Sequence, residues 1–117
     1  MSFKKVIAWE KSIELVDLVC LESAKLPTAE KVGLYSQMRR SAMSIPSNIA
    51  EGYGRGSTAE YCRFVDIAIG SLCELETQVI IAGRQKMLET SQLDSSIDEV
   101  GKILYALRNA FRRKKNS

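Results

Sequence analysis

The side chains that most enzymes use for acid–base and metal chemistry are missing from this sequence. Its 117 residues include no histidine. This removes the commonest general base, the commonest zinc ligand and the Glu-x-x-His pairs of di-iron helix bundles. Ser-His-Asp and Cys-His nucleophiles are excluded for the same reason. We therefore predict a protein that is not an enzyme and has no metal or cofactor, with a carboxylate or lysine enzyme as the alternative.

Three glycines alternate just before a predicted helix, at Gly52, Gly54 and Gly56. Backbone N–H groups and the helix dipole attract anions at such a position. The spacing matches neither the dinucleotide fingerprint nor the Walker motif, and no strand precedes it. We interpret the segment as a helix stop followed by a turn, with anion binding by Arg55 as the alternative.

Basic residues are concentrated at the C-terminus. Up to Leu104 the sequence has 12 basic and 14 acidic residues, and the five basic residues after it have no acidic neighbour. Adjacent cations can bind phosphates by releasing counterions, but they can also complement a helix dipole and improve solubility. Both interpretations stay open for the predicted basic tail, residues 112–117, which contains Arg112, Arg113, Lys114 and Lys115.

One face of the second predicted helix is polar. Its members, three or four residues apart, are Arg40, Ser44, Ser47, Asn48, Glu51 and Arg55. One interpretation is a network of hydrogen bonds that braces the fold, with Glu74 of the third helix as a partner. The alternative is a surface that binds a ligand or another protein.

Four segments carry apolar residues at steps of three and four, which is typical of amphipathic helices. The expected core positions are Val6, Trp9, Ile13, Val16 and Cys20, then Tyr35, Met38, Ala42, Ile45 and Ile49, then Tyr61, Val65, Ala68, Leu72, Leu75, Val79 and Ala82, and finally Leu93, Ile97, Val100, Leu104, Leu107 and Phe111. Short connections favour antiparallel neighbours. We predict an all-α, antiparallel up-down-up-down four-helix bundle that forms one domain over residues 1–117.

Capping residues and prolines predict where these helices begin, bend and end. Pro27 ends the first helix, and Thr28 can cap the second. Pro46 lies inside the second helix and is expected to kink it. Ser57 opens a capping box that starts the third helix, and Ser91 with Asp94 repeats the signal for the fourth.

The compartment can also be predicted. No apolar run approaches the ~20 residues that a membrane span needs, and the N-terminus lacks a signal-peptide pattern. The three cysteines, Cys20, Cys62 and Cys73, are odd in number and form no C-x-x-C pair. We expect a cytoplasmic protein without a membrane partner, in which the cysteines are small core residues.

The stretch from Gln37 to Arg55 reads QMRRSAMSIPSNIAEGYGR. It resembles the four-helix bundle family of 23S rRNA intervening-sequence proteins. The resemblance continues through residues 61–64 and 70–76, and Trp9 and Pro27 stand where the family places its own. It therefore spans most of the chain.

The resemblance implies a set of partners. In some bacteria, family members are encoded within extra segments of 23S rRNA genes, and others stand alone in genomes. A related group serves as accessory proteins of diversity-generating retroelements. Those relatives form ring-like homopentamers that associate with a reverse transcriptase and nucleic acid. The resemblance thus implies a homo-oligomer that is pentamer-like, with RNA or DNA and a reverse transcriptase or other protein as partners.

Phosphate contacts are expected from two groups of basic residues. They are Arg39, Arg40, Arg55 and Arg63 in the helices, and Arg112, Arg113, Lys114 and Lys115 in the tail. The alternative is a protein-interaction scaffold with no nucleic-acid role, whose positive charges are only solvated. Salt dependence distinguishes the two, because phosphate contacts weaken steeply as salt rises.

Overall fold

The computed structural model describes residues 2–30 and 32–116, with side chains described as far as Arg113. Four α-helices make the fold: α1 Ile7–Ser23, α2 Leu34–Tyr53, α3 Thr58–Arg84 and α4 Ser91–Asn116. Short 3-10 helices, Phe3–Lys5 and Thr28–Glu30, precede α1 and α2. No strand occurs in the described part of the chain. The predicted all-α class is confirmed.

Each helix packs against two neighbours: α1 contacts α2, α2 contacts α3, α3 contacts α4, and α4 returns to α1. Between α2 and α3, Ser41 lies against Glu74 and Gly52 lies against Phe64. Residue numbers therefore fall along α3 as they rise along α2, which makes this pair antiparallel. The molecule measures 50 × 21 × 20 Å, as expected for helices lying side by side. This packing agrees with the predicted bundle.

The predicted start of α3 at Ser57 is confirmed. Ser57 is its N-cap, and the Ser57 hydroxyl accepts a hydrogen bond from the backbone N–H of Glu60 at 3.1 Å. Gly56 precedes it with φ at +82°, a conformation that favours glycine. The fourth helix begins at Ser91, one residue earlier than a cap at Ser91 would place it. Thr90 precedes it, and the Thr90 hydroxyl donates to Oδ2 of Asp94 at 3.0 Å.

The predicted start of α2 is wrong. Thr28 does not cap α2; it opens the 3-10 helix Thr28–Glu30, in which the backbone N–H of Glu30 donates to the carbonyl of Pro27 at 2.8 Å. The α-helix begins only at Leu34, with Gly33 as its N-cap. The physical reason is local, because a glycine adjacent to the helix offers the backbone freedom for a second change of direction.

Pro46 lies inside α2, is buried, and does not divide the helix, which continues to Tyr53. This continuity was expected, since proline removes one hydrogen bond without forcing the helix to end. The kink at Pro46 stays a prediction.

The core stripes predicted for α2, α3 and α4 are confirmed at their central positions. Met38, Ile45, Leu75 and Leu104 are fully buried. At the stripe ends Tyr35, Tyr61, Leu107 and Phe111 are only half-buried and pack against the edge of the core.

The face predicted for α1 is displaced. Its buried positions run through Ala8, Ser12, Leu15 and Val19, whereas the five predicted residues are half-buried; these are Val6, Trp9, Ile13, Val16 and Cys20. Because α1 carries apolar residues around most of its circumference, spacing alone does not select the face that meets the core. Burial of Ser12 is tolerated because its hydroxyl donates to the carbonyl of Trp9 at 2.8 Å.

The cysteine prediction is wrong at Cys73, which is exposed on the outer side of α3. Cys20 and Cys62 are half-buried. All three thiols are free, as expected from their number and spacing.

Candidate nucleic-acid interface

Hydrogen bonds between polar side chains join α2 to α3 along part of the predicted polar face. The Ser41 hydroxyl donates to Oε1 of Glu74 at 2.7 Å, and the hydroxyls of Ser44 and Ser71 lie 2.8 Å apart. Asn48 donates from Nδ2 to the Ser44 carbonyl at 2.8 Å and to the Ser44 hydroxyl at 2.9 Å. This geometry fits the bracing interpretation for Ser44, Asn48 and Glu74.

Two members of the predicted network face elsewhere. Ser47 is exposed, and Glu51 pairs with Arg55 on the surface. Conversely, Ser41 and Ser71 belong to the network and were missed. Both could have been suspected from the sequence, because each lies three residues from a predicted member. Glu74 was predicted as the partner on α3, but its pairing with Ser41 was not.

Arg39 connects α2 to the end of α1. Its Nη2 donates to the carbonyl of Cys20 at 3.2 Å, its Nε lies 3.4 Å from the Ser23 hydroxyl, and its guanidinium lies 4.3 Å from the centre of the Tyr35 ring. A cation at the last turn of a helix satisfies free carbonyls and complements the dipole. Arg39 therefore has a structural role at the end of α1, whereas the adjacent Arg40 is exposed.

Arg55 and Arg63 flank one aromatic ring where α2 meets α3. Their guanidinium carbons lie 5.0 Å and 4.5 Å from the centre of the Phe64 ring. Each also has an acidic partner: Arg55 Nη2 contacts Glu51 at 3.0 Å, and Arg63 Nε contacts Glu60 at 2.9 Å. The Arg63 hydrogen bond holds the pKa of the Glu60 carboxyl below its usual value, so this pair is ionised near neutral pH.

The last turns of α4 contain further arginines, which lie near Arg55 and Arg63. Arg108 and Arg112 both approach Oδ1 of Asp66, at 3.7 and 3.8 Å, and Asp66 lies one turn after Arg63 on α3. Arg113 is exposed and has no ion-pair partner among the described residues. Lys114 and Lys115 continue the helix, but their side chains lie outside the described part of the chain.

The antiparallel packing thus divides the predicted phosphate-binding residues between two places. Arg55, Arg63, Arg112 and Arg113 meet at the end of the bundle formed by the C-termini of α2 and α4 and the N-terminus of α3. We call this group, with Arg108, the basic end. Arg39 and Arg40 lie in the first half of α2, near the opposite end. Arg108 was missed as a site residue, although the charge count after Leu104 includes it.

Aromatic residues cluster at the basic end. The ring of Tyr61 meets Tyr53 edge-on, with centroids 5.9 Å apart, and meets Phe111 at 4.6 Å in a tilted arrangement. Partial burial of Tyr61 raises the pKa of its phenol, so the hydroxyl is neutral near pH 7. The sequence does not reveal this cluster, because the three residues come from three different helices.

These rings line an open pocket of about 320 Å³. Its other lining residues are Gly52, Gly56, Ser57 and Thr58. The absence of a side chain at Gly52 is required, since a Cβ there would lie 2.8 Å from the Cβ of Phe64. This close approach is what brings the end of α2, with Tyr53, against Tyr61.

The outer face of α3 is partly apolar. Ile67, Ile80 and Ile81 are 40%, 51% and 47% exposed, with the small residues Gly70 and Cys73 between them. A separate groove of about 550 Å³ lies between α3 and α4, and Leu72 and Gly101 are among its lining residues.

Among the described residues, no cluster of three or more His, Cys, Asp or Glu side chains could hold a metal ion. No helix in the described ranges is both long and apolar enough to span a bilayer.

A family model matches most of this chain. The model of the 23S rRNA-intervening sequence protein covers residues 4–108, which include α1, α2, α3 and most of α4. Arg55, Arg63 and Arg108 lie inside the match, whereas Arg112 and Arg113 lie beyond it. No curated protein shows significant similarity to the chain.

Proposed function

Because this chain belongs to the 23S rRNA-intervening sequence protein family, we propose that it is a non-enzymatic, nucleic-acid-associated accessory protein. It acts as a ring-like homo-oligomer in the cytoplasm and contacts phosphates through its basic end. A reverse transcriptase or another protein is the expected second partner.

The observation that carries this proposal is the convergence of cations at one end of the bundle. Five arginines, from α3, α4 and the turn after α2, meet there. Three carboxylates, those of Glu51, Glu60 and Asp66, pair with them. The local balance is therefore positive, although the chain up to Leu104 carries more acidic than basic residues. Such a cluster attracts a polyanion, and binding is favoured because the nucleic acid then releases its condensed counterions.

The acidic partners do not prevent phosphate contact. The side chains of Arg55, Arg63 and Arg112 keep 46%, 56% and 53% of their surface exposed. Exposed ion pairs contribute only about 0–1 kcal/mol, so a phosphate can replace the carboxylate at low cost. Stacking on Phe64 meanwhile holds two of the guanidinium groups in place, and their free N–H groups can point outwards.

The test is binding to a fluorescent single-stranded RNA and the matching DNA, measured by anisotropy at several salt concentrations. Deleting the residues after Phe111 should flatten the salt slope by as much as about 3, because each phosphate contact contributes about 0.7–0.9. Arg63→Ala should flatten it by about 1 on the same scale.

Arg40→Ala is the matched control, because Arg40 is an exposed arginine far from the basic end. It should leave the slope unchanged. If charge reversal at Arg39 or Arg40 abolishes binding while the truncation has no effect, the phosphate surface lies at the first half of α2. Absence of binding to either nucleic acid at low salt would remove the proposal.

The apolar outer face of α3 supports the alternative function, a protein-interaction scaffold. Ile67, Ile80 and Ile81 are exposed there without a covering element, and patches of this kind mark protein interfaces. A scaffold would bind its partner with little salt dependence, and nucleic acid would not copurify with it.

A further inference from the structure

The basic end combines its arginines with an aromatic pocket, and we propose that this pocket takes one unpaired nucleobase. The base stacks against the rings of Tyr61 and Phe111, and the phosphates on either side of it lie against the arginines. The ligand is thus a single strand or an unpaired segment, in preference to a continuous duplex. This inference rests on the proposed function, because it assigns the form of nucleic acid that the basic end binds.

The arrangement of the rings suits a planar ligand. Tyr53, Tyr61 and Phe111 are each half-buried, so part of every ring faces the pocket or solvent. Tyr61 stands between the other two, at 5.9 Å and 4.6 Å. Aromatic side chains of this kind stack on any base, because every base has a π-face.

The size of the pocket limits its occupant. Its volume of about 320 Å³ lies at the lower end of ordinary small-molecule sites, which span about 300–1,000 Å³. One base fits this space, whereas a dinucleotide cofactor exceeds it. Hydroxyls of Ser57 and Thr58 line the wall and can bond to the edge of a base.

The distribution of charge around the pocket favours a nucleic-acid strand over a free base. The described lining of the pocket contains no charged side chain. Two arginines adjoin the lining residues along the chain, since Arg55 follows Tyr53 by two residues and Arg112 follows Phe111 directly. The Arg55 guanidinium lies over the ring of Phe64, against which the lining residue Gly52 packs. An occupant with a neutral planar group in the pocket and negative charge on both sides of that group has the structure of a polynucleotide.

The experiment first varies the ligand, so that folding of the protein is not in question. An unstructured DNA strand is compared with an abasic strand of the same length and number of phosphates, and with the corresponding duplex. The abasic strand should bind about tenfold more weakly than the normal strand, because a loss of this size is within the range of one base–aromatic stack. Its salt slope should be the same, because the number of phosphates is unchanged. The duplex should lose affinity in the same way.

The second step changes the pocket. Tyr61→Leu and Phe111→Leu should each remove most of the preference for the normal strand over the abasic strand. A strand that carries 2-aminopurine should lose fluorescence when it binds the unmodified protein and should keep it when it binds either variant. Tyr35→Leu is the control, because Tyr35 is a half-buried aromatic residue of α2 that lies outside the pocket and away from the basic end. Circular dichroism checks that each variant stays helical.

Three results would overturn the inference. Equal affinity of normal, abasic and duplex ligands, with a steep salt slope, would leave the proposed function standing and remove the base pocket. Unchanged strand binding by Tyr61→Leu together with an altered oligomer mass would make the pocket a contact between protein chains. Loss of all nucleic-acid binding at low salt in the unmodified protein would remove both proposals.

Discussion

At the scale of single residues, Gly52 determines how closely α2 and α3 approach. Its position is buried, and an added Cβ would lie 2.8 Å from Phe64 Cβ and 3.2 Å from a ring carbon of Tyr61. Real Cβ atoms essentially never approach so closely, so a larger residue must separate the helices. The same contact holds Tyr53 beside Tyr61, so Gly52 links the packing of two helices to the shape of the pocket.

Gly52→Ala should therefore destabilise the protein by about 1–3 kcal/mol, the usual cost of overpacking, as measured by urea denaturation. Gly70→Ala is the matched control, since Gly70 also lies within a helix but a Cβ there meets nothing within 4 Å. It should stabilise the protein by up to about 1 kcal/mol, because alanine is the better helix former. Similar effects at both positions would show that the close approach does not limit packing.

At the scale of elements, α3 ends in a motif that normally contains glycine. The N–H of Met87 donates to the carbonyl of Ala82 at 2.9 Å, and the N–H of Lys86 donates to that of Gly83 at 3.0 Å. This is the Schellman pattern, whose left-handed position is occupied here by Lys86 with φ at 59°. A side chain at such a φ costs free energy that glycine avoids.

We expect Lys86→Gly to stabilise the protein by about 1 kcal/mol, because the strain at this position is relieved. Thermal unfolding followed by circular dichroism measures the change. Lys86→Ala removes the same charge but keeps a Cβ, so it should give little or no stabilisation. A gain of equal size from alanine would mean that charge, and not backbone conformation, is responsible.

At the scale of the whole molecule, the core is a continuous column to which all four helices contribute. Leu15, Ile45, Leu75 and Leu104 are each fully buried, one on each helix. Since a core of this kind is closely packed, removing one large side chain leaves a cavity that the neighbours fill only in part.

Leu104→Ala should lower the free energy of unfolding by about 2–5 kcal/mol, and Leu72→Ala should act in the same direction. Leu21→Ala provides the comparison, since Leu21 is a helical leucine that is 63% exposed. Its substitution should change stability by less than about 0.5 kcal/mol. A cost below about 1 kcal/mol at Leu104 and Leu72 would contradict the assigned core.

The assembly belongs to the same scale. We predict that the chain is a homo-oligomer at micromolar concentration and that the outer face of α3 takes part in the contact. Ile80→Glu should then reduce the mass measured by light scattering, because it buries a charge in the interface. Val32→Glu is the control, as Val32 is 91% exposed and lies outside the helices. A monomer mass for the unmodified protein would contradict this prediction.

Local features allowed much of the fold to be predicted from the sequence. The N-cap at Ser57, the helix that continues through Pro46 and the central core positions of α2, α3 and α4 depend on nearby residues, and the structure confirms them. Thr28 failed as a cap because Gly33, five residues further on, gives the chain a second place to turn. The family stretch from Gln37 to Arg55 was likewise recognisable from its residues alone.

Only the tertiary structure decided which residues meet. In α1, apolar residues surround the helix, so docking against the other helices selected Leu15 and Val19 over Val16 for the core. The arginines have the same chemistry in the sequence, yet the antiparallel return of α3 and α4 separates Arg39, which closes the end of α1, from Arg63 at the basic end.

The aromatic pocket is the clearest case. Tyr53 and Phe111 lie 58 residues apart in the sequence, and each packs against Tyr61. Helical periodicity relates residues that lie within one or two turns of each other. It therefore does not predict that Tyr53 and Phe111 both contact Tyr61. The close approach at Gly52 and the register of α4 on α3 bring the rings together, and both are properties of packing between helices.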